Sequence, residues 1–157
     1  MTPGDTGVIL STGDADDFTN SSGQSNQSTN TSTNTRGINN DSQLNAAAGT
    51  NTRDAAILDI DFTPTGDFMT MQFVFSSEEY PEFQNSVYQD FVGVWINGTL
   101  VDMAVGNGDT DPGNINSTNN SNLYIDNTSD QYNTEMDGFT VTMTLIIPVN
   151  SGVTNTI

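Results

Sequence analysis

"GFTVTMTLIIPV", residues 138–149, settles the fold class. Phe139, Val141, Met143, Leu145 and Ile147 alternate with Thr140, Thr142 and Thr144. A period of two puts the apolar set on one face of a pleated strand and the threonines on the other. β-branched and aromatic side chains suit that surface. Upstream, "FMTMQFVFSS" (68–77) repeats the pattern, with Met69, Met71, Phe73 and Phe75 facing in and Thr70, Gln72 and Ser76 facing out. "AAILDIDFTP" (55–64) puts Ala56, Leu58, Ile60 and Phe62 on one face and Asp59 and Asp61 on the other. "DFVGVWI" (90–96) is apolar on both faces, as a central strand is. Asn97-Gly98 is a two-residue hairpin signal leading into "TLVDMAV" (99–105). "GVILST" (7–12) and "NLYI" (122–125) are further strand candidates. Turn residues recur and no long 3.6-residue periodicity intervenes, so the expected fold is an all-β, antiparallel, jelly-roll-like β-sandwich.

A chain of 157 residues is one domain with a real core. Residues 19–51 are almost wholly Ser, Thr, Asn, Gln and Gly, which cannot bury enough surface to offset ordering entropy. The expectation is a flexible loop over 19–35 and a short helical turn over 44–48. Residues 106–134 are polar again. The opening "TPGDTG" (2–7) reads as a module cut from a longer protein.

Charge is the second strong feature. Twenty acidic residues face two basic ones, Arg36 and Arg53, with no Lys, His or Cys and a formal charge of −18. That excludes phosphate neutralisation on nucleic acid and docking on anionic lipid. A cysteine nucleophile, a Ser-His-Asp triad, a Schiff base and a Lys–Asn isopeptide crosslink are all out of reach. Zinc is poorly served. No apolar run approaches the ~18 residues of a membrane span, and no signal-peptide pattern opens the chain. Self-repulsion on this scale calls for cations, and Ca²⁺ suits carboxylates, amides and backbone carbonyls.

The acids concentrate in "SSEEYPEFQNSVYQDF" (76–91), which crowds Glu78, Glu79 and Glu82 together, with Asp90 soon after. Three roles compete: a metal site, an acid/base pair, or a solvated loop. Glycosidase-type catalysis needs two carboxylates held roughly 5 to 9.5 Å apart. Sequence neighbours diverge on an extended chain, which leaves Glu78 with Asp90 as the candidate pair. Interleaved Tyr80, Phe83, Val87, Tyr88 and Phe91 argue that the loop packs down, and burying acids without basic partners is costly unless a cation is present. Asp59 with Asp61, and Glu135 with Asp137 in "TEMDGFT" (134–140), are further carboxylate pairs. "GNGDTDPGN" (106–114) has the front half of a calcium loop without its closing Glu, and "GDADD" (13–17) is weaker still. The expected Ca²⁺ ligands are Glu78, Glu79, Glu82, Asp90, Asp137, Asp59 and Asp61, with no catalytic residues.

The blocks "GVILSTGDA" (7–15), "DAAILDIDFTPTGD" (54–67), "FVFSSEEYPEF" (73–83), "YQDFVGVWING" (88–98) and "TEMDGFT" together make the chain resemble the choice-of-anchor L domain. The resemblance implies a β-sandwich from a secreted or surface-attached protein, commonly a long calcium-dependent repeat adhesin on the bacterial cell surface. It also implies at least one further strand, which would make residues 153–157 a strand whose partner is absent, leaving an open edge or one that another chain completes. The module's partners would be neighbouring domains of the same chain and a glycan or protein ligand on a target surface. The expected role is non-enzymatic: supporting or positioning ligand binding in cell adhesion and biofilm formation. Three alternatives stand beside it. One is a calcium-dependent carbohydrate-binding module stacking a sugar on Trp95, Tyr80 or Tyr124, although Trp95 suits the core better. Another is a surface-layer or filament subunit of a salt-adapted organism. The last is a hydrolase using Glu78 and Asp90.

Overall fold

A computed structural model describes residues 6–18, 33–103 and 110–157. In chain order its strands are β1 (Asp61–Phe62), β2 (Phe68–Phe73), β3 (Ser76–Ser77), β4 (Trp95–Ile96), β5 (Thr99–Leu100), β6 (Tyr124–Asp126), β7 (Gly138–Thr140), β8 (Met143–Pro148) and β9 (Asn155–Thr156). All the ladders are antiparallel, pairing β1 with β9, β2 with β8, β4 with β5, and β7 with both β3 and β6. One short helix, α1 (Ser42–Ala48), accompanies them. The fold is an all-β sandwich, as the alternation predicted.

The two segments that decided the fold class pair with each other. β2 runs against β8 from Phe68↔Pro148 to Phe73↔Met143. Met143, Leu145 and Ile147 are buried and the residues between them exposed, the expected period of two. They meet Val94, Met103 and Val149 in the core, with Phe62, Met69, Met71 and Phe73 packed alongside.

One expectation fails inside this pair. Residues 138–149 do not run as one strand. The β2–β8 ladder ends at Phe73↔Met143 and the β3–β7 ladder resumes at Ser76↔Phe139. Val74 and Phe75 therefore oppose Thr140, Val141 and Thr142, a β-bulge. Thr140 stitches it, its N–H donating to the Phe75 carbonyl at 2.8 Å and its hydroxyl accepting from the Phe75 N–H at 3.1 Å. An extra residue flips every side chain beyond it to the other face. Phe139, expected beside Met143, lies instead with Val74 and Ser76, where all three line a cavity of about 210 Å³.

Local chemistry explains the smaller elements. Asp41 caps α1 by accepting from the Gln43 and Leu44 N–H groups at 2.9 and 3.0 Å, and Gly49 closes it at φ 66°. The helical turn expected over 44–48 is thus present. Asn97 (φ 50°) and Gly98 (φ 79°) form the expected hairpin turn between β4 and β5. Residues 122–125 supply only Tyr124 and Ile125 to β6, which runs on to Asp126.

Other strand candidates fall short. Residues 7–12 join no strand among the described residues, and Val8, Ile9 and Leu10 are exposed. Of 55–64 only Asp61–Phe62 is a strand, and Leu58 and Ile60 face solvent rather than the core. Residues 90–96 contribute β4 and a lone Val92↔Thr110 bridge. Residues 153–157 find a partner within the chain, since β9 pairs with β1. The polar loop over 19–35 lies outside the described residues except for 33–35, which are irregular, and residues 104 and 105 of "TLVDMAV" also lie outside.

Candidate carboxylate site

Glu78 and Glu79 sit between two buried anchors. On one side Ser77 is 1% exposed, its hydroxyl donating to Asp90 Oδ2 at 2.9 Å and accepting from the Glu79 N–H at 3.0 Å. On the other, Tyr80 is fully buried, its hydroxyl donating to the Ile115 carbonyl at 2.6 Å and its ring 4.8 Å from that of Tyr124. Both tyrosine rings lie over Gly138, where a Cβ would come within 2.7 Å of each. The Tyr80–Pro81 peptide is cis. Pinned at Ser77 and Tyr80, the chain holds Glu78 and Glu79 half-buried between them.

The consequence is electrostatic. Both Glu78 carboxylate oxygens are closed off from solvent and make no hydrogen bond among the described residues. Loss of hydration first, then the charges of Asp137, Glu135, Glu79 and Glu82, pushes its pKa up to about 8. Glu79 is pushed up to about 7 by burial and then by Asp90 and Glu82. Burial also raises Asp90, against which the Ser77 hydroxyl acts. Asp137 and Glu135 are themselves buried. Neither Arg36 nor Arg53 is among the charges acting on Glu78 or Glu79.

The sequence candidates therefore divide. Glu78 belongs with Asp137 and Glu135, and Glu79 with Asp90, while exposed Glu82 influences both glutamates. The Glu78–Asp90 pair offered for hydrolysis is not the leading association of either residue. Asp59 and Asp61 act on neither glutamate. Both are exposed, and Asp61 Oδ1 accepts from the Thr156 hydroxyl at 2.5 Å. Among the described residues no three acidic side chains converge closely enough to hold a metal by themselves. A hard cation here would draw on two carboxylates and complete its shell with carbonyl, amide or water oxygens.

Other acidic motifs have structural roles. Asp111 in the Gly/Asp loop accepts from the Asn114 N–H at 2.7 Å and from Gln89 Nε2 at 3.1 Å, and residues 106–109 lie outside the described set. Asp14 accepts from the Asp16 N–H at 3.1 Å at the 3-10 turn Ala15–Phe18. Of the stacking candidates, Tyr80 is buried beyond reach of a sugar, and the Trp95 ring folds over Gly93, where a Cβ would meet it at 2.6 Å. Sequence reasoning gave no role to Ser77. Its signal was the alternation with buried Phe75, which carries Ser77 inward.

A family model described as the Choice-of-anchor L domain matches residues 2–157, and the chain belongs to that family. No curated protein and no solved structure matches it. Membership makes the chain a domain of larger secreted or cell-surface proteins, in a family not known for enzymes. No helix among the described residues is long and apolar enough to cross a membrane.

Proposed function

We propose that this member of the choice-of-anchor L family is a non-enzymatic, calcium-stabilised sandwich module of a bacterial surface adhesin. It would support ligand binding by neighbouring domains during cell adhesion and biofilm formation. One observation carries the calcium reading: the Glu78 carboxylate is buried without a hydrogen-bond partner among the described residues, amid Asp137 and Glu135. An uncompensated buried carboxylate is costly, and a divalent cation removes that cost where no Lys, His or nearby Arg can.

The donor set fits. Ca²⁺ takes 6–8 oxygens in flexible geometry, so two carboxylates with carbonyls and water suffice. Glu78, with Asp137 or Glu135, would hold the ion. Glu79 and Asp90, the latter oriented by Ser77, form the adjoining acidic pair, and Glu82 lies at the rim. Asp59 and Asp61 stand apart from this group.

Thermal unfolding tests the reading. Saturation at about a hundred times Kd adds about 2.7 kcal/mol, a rise of roughly 5 to 11 °C for a domain of this size. EDTA should remove that rise, and KCl at matched ionic strength should not reproduce it. A midpoint indifferent to Ca²⁺ refutes the calcium site. Equal rescue by KCl favours the salt-adapted surface-layer or filament subunit instead.

A further inference from the structure

Residues 55–60 run without helix, turn or bend between two tethers. Ala55 exchanges backbone hydrogen bonds with Ile38 at 2.9 and 3.2 Å, and Ile60 does so with Ile157 at 2.8 and 3.0 Å. Between them Ala56, Ile57, Leu58 and Asp59 make no backbone hydrogen bond among the described residues. Successive side chains of an extended chain point to opposite faces. Ile57 is nevertheless 44% exposed and Leu58 45%, so neither face is covered there. Ile60 is 47% exposed. Unpaired backbone carrying exposed apolar side chains is a template for another strand. Natural edges are commonly blunted by Lys or Pro, and residues 55–60 contain neither.

Charge selects the occupant. A second copy would bring another net charge of −18 to an edge already carrying exposed Asp59 and Asp61. A cationic segment is drawn to the same edge. Facing pairs on adjacent strands share a face. A strand laid beside this one would set apolar side chains against Leu58 and Ile60, and basic ones against Asp59 and Asp61. We propose that residues 55–61 form an open edge that accepts, by strand addition, an extended segment of another polypeptide alternating apolar and basic residues. This does not depend on the calcium site.

Fluorescence anisotropy with a labelled eight-residue peptide alternating Val and Lys tests it. A peptide of the same composition with its valines and lysines in two blocks has the same charge but not the alternation. The alternating peptide should bind at least tenfold more tightly than the block peptide. Leu58→Pro should lower that affinity at least tenfold, and the unfolding midpoint should hold because the position is exposed. The double variant Asp59→Asn/Asp61→Asn keeps the backbone intact, so it serves even if the proline variant misfolds. It should weaken the alternating peptide several-fold and flatten its salt dependence. Equal binding of the two peptides would mean charge attraction alone and would overturn the proposal. So would unchanged binding by the double variant. A concentration-dependent dimer in sedimentation would also overturn it, giving the edge to a second copy, for instance through its exposed Val8, Ile9 and Leu10.

Discussion

Replacing Glu78 by Gln keeps the shape of the side chain and removes its charge, and the consequence depends on pH and on calcium. The carboxyl titrates at 4.5 when free and at about 8 in the fold. At about 1.4 kcal/mol per pH unit, that difference corresponds to ~5 kcal/mol for ionising it in place. The residue as a whole is only half-buried, and water screens part of the interaction, so about 2 kcal/mol is the expected figure. Because the folded-state pKa is raised, the stabilising protonated form is fully present below pH 4.5 and is lost as pH climbs through about 8. In EDTA the wild-type protein should therefore lose stability between pH 5 and pH 9, and Glu78→Gln should lose less. The variant should melt roughly 4 to 8 °C above wild type at pH 9 and level with it at pH 5. Saturating Ca²⁺ should reverse the order, since the ion needs the ionised oxygen that Gln lacks. Differential scanning calorimetry across that pH range, with and without EDTA, reads all of this. If the metal-free variant melts below wild type at pH 9, the Glu78 charge already has a partner and the reasoning fails.

Urea unfolding checks three further substitutions. Gly138→Ala should cost about 1 to 3 kcal/mol, because its Cβ would lie 2.7 Å from the rings of Tyr80 and Tyr124; an unchanged midpoint would mean those rings move freely. Tyr80→Phe strips the Ile115 carbonyl of its buried donor and should cost roughly 1 to 3 kcal/mol. Asn155→Ala should lower the midpoint further than an exposed Asn→Ala control such as Asn85→Ala. The buried Asn155 amide accepts from Asn97 Nδ2 and the Asn150 N–H, and donates to the Asn150 and Val153 carbonyls.

Period-two patterning made β2 and β8 legible, because their side chains alternate between core and solvent without interruption. The Asn97-Gly98 turn was legible for a different reason: both central residues need positive φ, and few residue types tolerate it. The same patterning misled at residues 55–60, where an alternating segment has its apolar positions exposed. Composition records which side chains would suit a pleated surface, not whether a neighbouring strand arrives to cover them. It misled again at Phe139, since a bulge is a property of two strands together and leaves no mark in either sequence alone. For the site, the acidic stretch itself was plain, but the partition of its members was not. Glu78 meets Asp137 and Glu135 only through pairing between residues more than fifty positions apart.

The bulge connects the fold to the site. Without it the β2–β8 register would continue, and residues 137 and 139 would fall on the side that now carries Gly138 and the tyrosine rings. A ring-packed glycine would become a clash, and Asp137 would leave Glu78. With the bulge, β3 and β7 form a ladder where a glycine lets Tyr80 close down and anchor one side of Glu79, while Ser77 anchors one side of Glu78. Tight packing at Ser77 and Tyr80 thus imposes the carboxylate crowding. The anchoring contacts are hydrogen bonds and aromatic packing, which calcium neither supplies nor removes. The proposed calcium binding therefore need not build this region. It has only to relieve a repulsion that the packing already imposes, which is why calcium should alter the stability of the module more than its shape.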